Sequence, residues 1–105
     1  MMMLLTKENI RNLPKLYTHD GKQAKDVPVA VKFFCPWNQW TWYVTEGQQD
    51  EDGDWLFFGL VHGIETELGY FRLSELQSVT GPGGLKIERD RSYAGTLEEA
   101  LKSHQ

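Results

Sequence analysis

The stretch Val29 to Val44, VAVKFFCPWNQWTWYV, concentrates more apolar and aromatic area than any other part of this chain. Val29, Val31, Phe33 and Cys35 alternate with Ala30, Lys32 and Phe34. After Pro36-Trp37-Asn38-Gln39, a second run alternates Trp40, Trp42 and Val44 with Thr41, Tyr43 and Thr45. Successive side chains on a strand point to opposite faces, so this period of two predicts a β-hairpin. Pro36 has no N–H to give to a ladder and Asn38 tolerates turn geometry, which places the reversal at Pro36 to Gln39. The core has to form around this hairpin.

A chain of 105 residues fits one domain, which buries roughly 65% of its unfolded surface without a metal or disulfide. The lone Cys35 has no partner for an internal disulfide, and no apolar run approaches the roughly 20 residues of a membrane span. The apolar opening Met1 to Leu5 lacks the basic flank, length and cleavage site of a signal peptide. A monomer in the reducing cytoplasm, away from membranes, is expected.

Thr6 to Leu13 reads as a short helix with Thr6 as N-cap and Pro14 as terminator. Lys15 to Asp26 is polar and aperiodic, hence a loop. Glu46 to Asp54 (EGQQDEDGD) has no apolar residue and is read as an exposed hairpin loop. Trp55 to Val61 is an apolar run of strand length, with Gly59 marking a bulge or the close approach of another backbone. His62-Gly63-Ile64 turns the chain into a fourth strand, Glu67 to Phe71. A helix from Ser74 to Val79 ends before Gly81-Pro82-Gly83-Gly84. Thr96-Leu97-Glu98-Glu99 is a capping box for a last helix reaching Lys102. The expectation is an α+β fold: a four-stranded antiparallel sheet in order 1-2-3-4, short helices packed on it, and room for a fifth edge strand at Lys86 to Asp90.

Net charge is −4, unevenly spread. From Phe33 to Phe71 there is no Lys or Arg, while Glu46, Asp50, Glu51, Asp52, Asp54, Glu65 and Glu67 contribute seven acids. The rest is mildly basic, so the molecule is polarised along its sequence.

Most sites that suggest chemistry have a plainer reading. Cys35 sits among phenylalanines with no histidine at a telling spacing, as a small buried hydrophobe would. His62 and Glu65 are two ligand types where a metal needs three or four. Gly81-Pro82-Gly83-Gly84 lacks the Lys and Ser/Thr of a phosphate loop and follows a helix instead of preceding one. Asp50 to Asp54 resembles a calcium loop, but the twelfth position is Val61, not a bidentate Glu. Trp37, Trp40 and Trp42 lie among acids, the wrong surroundings for stacking nucleic acid. Neither a cofactor nor catalysis is expected. An acidic middle beside aromatics suits recognition of a basic protein surface, through Glu46, Asp50, Glu51, Asp52, Asp54, Glu65, Glu67 and Trp37.

LPKLY (Leu13 to Tyr17), VKFFCPWNQWTWYV (Val31 to Val44), LFFGLVHGIETELGYF (Leu56 to Phe71) and LSELQSVTGPGGLKIERD (Leu73 to Asp90) resemble the successive motifs of a family of small bacterial domains of unknown function. Such domains are carried on plasmids and integrative conjugative elements, and the resemblance extends to a group of type II-A anti-CRISPR proteins. It implies no catalytic residues. It implies as partner the RNA-guided type II effector nuclease, alone or with guide RNA, whose basic channels an acidic surface can contest. The alternative is an accessory nucleic-acid-binding protein of plasmid maintenance or antirestriction, with Arg72, Lys86, Arg89 and Arg91 on phosphates. The acidic middle argues against direct DNA binding.

Overall fold

The structure, a computed structural model, describes residues 3–105, so the first two residues of the apolar opening lie outside the described residues. Strands β1 (Val31–Phe34), β2 (Thr41–Gln49), β3 (Trp55–His62), β4 (Thr66–Arg72) and β5 (Glu88–Arg89) form one antiparallel sheet in the order β4-β3-β2-β1-β5. The expected meander is present, and the fifth strand joins it beside β1. Helices α1 (Lys7–Asn12), α2 (Leu73–Ser78) and α3 (Leu97–Ser103) are short. Thr6 and Thr96 cap α1 and α3 as expected, Thr96 through the capping box with Glu99 and Thr6 through a reciprocal pair with the Asn9 side chain. Among the described residues, no helix is long and apolar enough to cross a membrane.

Several expected boundaries move, the first strand of the hairpin shortening from Val29–Cys35 to Val31–Phe34. Glu46 to Gln49 are not loop but the second half of β2, paired with Phe58 to Trp55, and the hairpin tip shrinks to Asp50–Asp54. Polar composition misled there because β3 supplies the ladder whatever β2 carries. Trp40 precedes β2 and is 37% exposed, its ring covering Gly63 and packing beside Trp42.

Both faces of the sheet are covered. On one, Val31, Phe33, Trp42, Val44, Phe57 and Phe71 pack against Leu4, Leu5, Leu76 of α2 and Ile87. Phe57 is fully buried at its centre, with the rings of Phe33, Phe71 and Trp55 at 6.1, 5.7 and 6.5 Å. On the other face, Tyr43 and Leu60 pack against Leu97 and Ala100 of α3 and against Val27 and Val29. The loop 15–22 lies over the same face further along β2, through Tyr17 and His19.

The register of β2 on β3 changes once. Val44 faces Gly59, but Glu46 faces Phe58, so Thr45 is an extra residue, its hydroxyl donating to the Phe58 carbonyl at 3.1 Å. Without this bulge Glu46 would stand opposite Phe57 in the aromatic core. With it, Gly47 takes that place, where a Cβ would sit 2.8 Å from Phe57 and 2.9 Å from Leu13. Gly59 answers the bulge from β3, since a Cβ there would fall 1.8 Å from the Tyr43 carbonyl oxygen. That clash is with backbone, so Gly59→Ala is expected to destabilise the fold by about 3 kcal/mol or more in urea unfolding. Gly69→Ala, at the paired position on β4 with nothing within 4 Å of its Cβ, is the control and changes stability little.

The end of α3 docks through a histidine stack. The His104 ring lies 3.8 Å from that of His62, and its Nε2 is 2.7 Å from the Tyr43 hydroxyl. Burial first, then the neighbouring His62 and Lys32, holds His104 below its ordinary value of 6.5. The unfolded chain therefore binds this proton more tightly than the native one, and stability falls as pH drops below about 6.5. Replacing His104 by Gln is expected to flatten that part of the stability–pH curve, measured by thermal unfolding between neutral and mildly acidic pH.

Candidate functional site

The seven acids of the middle segment do not form one surface. Glu46 is turned inward, its side chain only 6% exposed. One carboxylate oxygen accepts from the Tyr17 backbone N–H, and the other lies 3.2 Å from Nδ1 of His19, itself 8% exposed. Asp50 and Asp54 are drawn to Arg72, whose guanidinium donates to Asp50 and lies 3.9 Å from Asp54. Asp54 also accepts from the Ser74 hydroxyl at 2.6 Å and from the Ser74 and Trp55 backbone N–H groups. The Ser74 hydroxyl bond leads in holding its carboxyl below the ordinary value, with the Trp55 and Ser74 N–H bonds and the Arg72 charge adding to it. Glu51 and Asp52 stand exposed at the hairpin tip, and Glu65 and Glu67 stand exposed at the start of β4.

Glu46 organises a cluster that the sequence did not single out. Tyr17 is the one described non-glycine residue with positive φ, at 71°. This conformation is strained for a side chain with a Cβ and persists only where its surroundings hold it. Here the buried carboxylate holds it through the Tyr17 N–H. Tyr17 is thereby presented at the surface, 62% exposed, beside the phenol of Tyr70, 54% exposed. Tyr70 meets Phe58 edge to face at 5.0 Å. Desolvation, then the adjacent Tyr17 phenol and the charges of Asp20 and Glu46, pushes the Tyr70 phenol up. Two exposed tyrosines over negative charge make a seat for a cation, which ring faces attract. The available signal was slight, an acid directly after the alternating run that ends at Thr45; pairing it with Tyr17 and His19 spans separations of 29 and 27 residues.

Other candidates serve the fold. Trp37 packs on the core with its indole against Gly81, where a Cβ would lie 2.5 Å from the ring. Cys35 is buried, and that burial pushes its thiol up, against thiolate formation. His62 is occupied by the His104 stack and lies 2.7 Å from the Thr66 hydroxyl. Arg89 donates to the carbonyls of Met3 and Leu4. An apolar groove of about 410 Å³ runs between Leu4, Leu5, Leu73, Leu76 and Ile87, with Lys86 at its rim.

A sequence profile described as a protein of unknown function (DUF2958) matches residues 4–101. No curated protein and no solved structure matches the chain.

Removing the Glu46 carboxylate leaves the part-buried Tyr17 N–H and the buried His19 imidazole without their partner. Glu46→Ala is expected to cost about 3 kcal/mol and to speed amide exchange across 15–22, read by hydrogen–deuterium exchange. Glu46→Gln, which keeps an acceptor, loses less.

Proposed function

The chain belongs to this family of proteins of unknown function, and from that premise we propose that it is a binding protein that engages a basic surface on another protein. The observation that carries this reading is the tyrosine pair, Tyr17 and Tyr70, held exposed over buried Glu46, with the charge of Asp20 acting on it, Glu65 and Glu67 exposed at the start of the same strand, and Arg72, the one cation of β4, engaged by Asp50 and Asp54. Its specific target in this reading is the RNA-guided type II effector nuclease, which holds nucleic acid in basic channels. The resemblance of the Val31 to Val44 and Leu56 to Phe71 motifs to mobile-element domains that include type II-A inhibitors supports that choice. The action is inhibition by occupancy, in the cytoplasm, without catalysis.

Charge at such an interface mainly raises the on-rate and discriminates partners, and it weakens with salt. The nucleic-acid alternative draws less support. Of its four basic residues, Arg72 is engaged by Asp50 and Asp54, and Arg89 by backbone carbonyls, which leaves no continuous stripe for phosphates.

The test is plasmid cleavage by a purified type II effector nuclease with increasing amounts of this protein, at low and physiological salt. Inhibition should weaken with salt, and Glu65→Gln with Glu67→Gln should raise the half-inhibitory concentration by about tenfold. Glu51→Gln with Asp52→Asn, at the solvated tip, should raise it by no more than a few-fold, roughly. If wild type leaves cleavage unchanged, the nuclease is not the target. Submicromolar DNA binding with a steep salt slope would favour the accessory role.

A further inference from the structure

The two edges of the sheet are finished differently. β5 is two residues long, and Arg89 ties it to the carbonyls of Met3 and Leu4, so the start of the chain closes that side. β4 runs for seven residues and, among the described residues, pairs on one side only, with β3. Of the devices that blunt an edge it has no proline, no lysine and no register shift against its neighbour, and its charged residues are Glu67 near its start and Arg72 at its end. Leu68 and Tyr70 project from it 49% and 54% exposed, and Ile64 in the preceding turn is 94% exposed. Such an edge is a template for an added strand, whose backbone supplies the ladder while alternate side chains supply specificity.

The surroundings select the sign of that strand. Glu65 and Glu67 flank its start and are exposed, Asp20 acts on Tyr70, and Arg72, the one cation of β4, is held by Asp50 and Asp54. Leu68 and Tyr70 lie on the face that carries Phe58, Glu46 and Tyr17. A strand added along β4 would set every second side chain on that face. A second copy of this chain would bring the same acids to the same edge, with a net charge of −4 on each partner.

We propose that β4 accepts an extended basic segment of a partner protein as a sixth strand, an arginine or lysine of which lies over the Tyr17–Tyr70 pair. This deepens the reading of an acidic protein-binding face, and rests on it, by naming the edge and the conformation of the ligand. The strand ladder supplies affinity that does not depend on salt. The tyrosines and acids fix which residues of the segment face them.

The test uses a labelled peptide of about nine residues alternating valine and arginine, long enough to span β4, with fluorescence anisotropy on the full chain. Two comparison peptides are the same sequence N-methylated at alternate backbone amides and one alternating valine and glutamate. The arginine peptide should bind and shift the amide resonances of Thr66 to Arg72. The N-methylated peptide, equal in charge, should lose roughly fivefold in affinity per ladder bond blocked. The glutamate peptide should not bind, and Tyr70→Ser with Tyr17→Ser should weaken the arginine peptide while leaving thermal stability nearly unchanged. Equal binding of the N-methylated peptide and its parent would overturn the proposal. So would dimerisation in sedimentation that Leu68→Lys abolishes, which would give the edge to a second copy. Because no nuclease enters the assay, peptide binding without nuclease inhibition upholds the edge and removes only the nuclease; inhibition without peptide binding does the reverse.

Discussion

The meeting of β2 and β3 at Val44, Thr45 and Gly59 decides where almost every other group in this protein points. One extra residue on β2 needs space on β3, and only a residue without a Cβ leaves it, because the Tyr43 carbonyl occupies the position that a Cβ of Gly59 would take. The half-turn this introduces moves an acid off the aromatic face and puts glycine in its place. Phe57 can then be fully enclosed by Phe33, Phe71 and Trp55, and a carboxylate can be buried without lying against those rings. An uninterrupted ladder would set an ionised group in the core, a cost no nearby cation could offset.

Burial of Glu46 in turn shapes the surface. A buried carboxylate needs donors, and the chain provides them from a loop nearly thirty residues upstream, the Tyr17 N–H and the His19 imidazole. The loop is thereby pinned to the sheet in a conformation its own residues would not choose, with Tyr17 in the left-handed region. Strain, burial and exposure of the aromatic pair are one coupled arrangement.

Charge behaves locally in the same way. The chain is acidic through its middle, yet three of those seven acids spend their charge inside the molecule, Glu46 on His19 and the Tyr17 N–H, Asp50 and Asp54 on Arg72. Arg72 sits one residue beyond the segment that contains no cation, so a count by sequence missed the ion pair that folding makes. The acids that remain at the surface divide into a solvated hairpin tip, where screening weakens them, and the start of an open strand beside exposed aromatics.

The sequence by itself determined the number and kind of the main elements and the order of the first four strands. Period-two alternation from Val29 to Val44, the apolar run Trp55 to Val61, the capping threonines and the Gly-Pro-Gly-Gly break are local signals, each readable within about ten residues. It also marked Gly59, whose place in a strand has no local justification. Only the tertiary structure decided that polar Glu46 to Gln49 are strand, because their partner β3 supplies the hydrogen bonds. It alone decided that Trp37 packs on Gly81 and that His62 stacks on His104 across 42 residues of chain. The bulge, the buried carboxylate and the exposed tyrosines depend on contacts between segments far apart in sequence, and no local periodicity encodes which acid is turned inward and which is left to meet a partner.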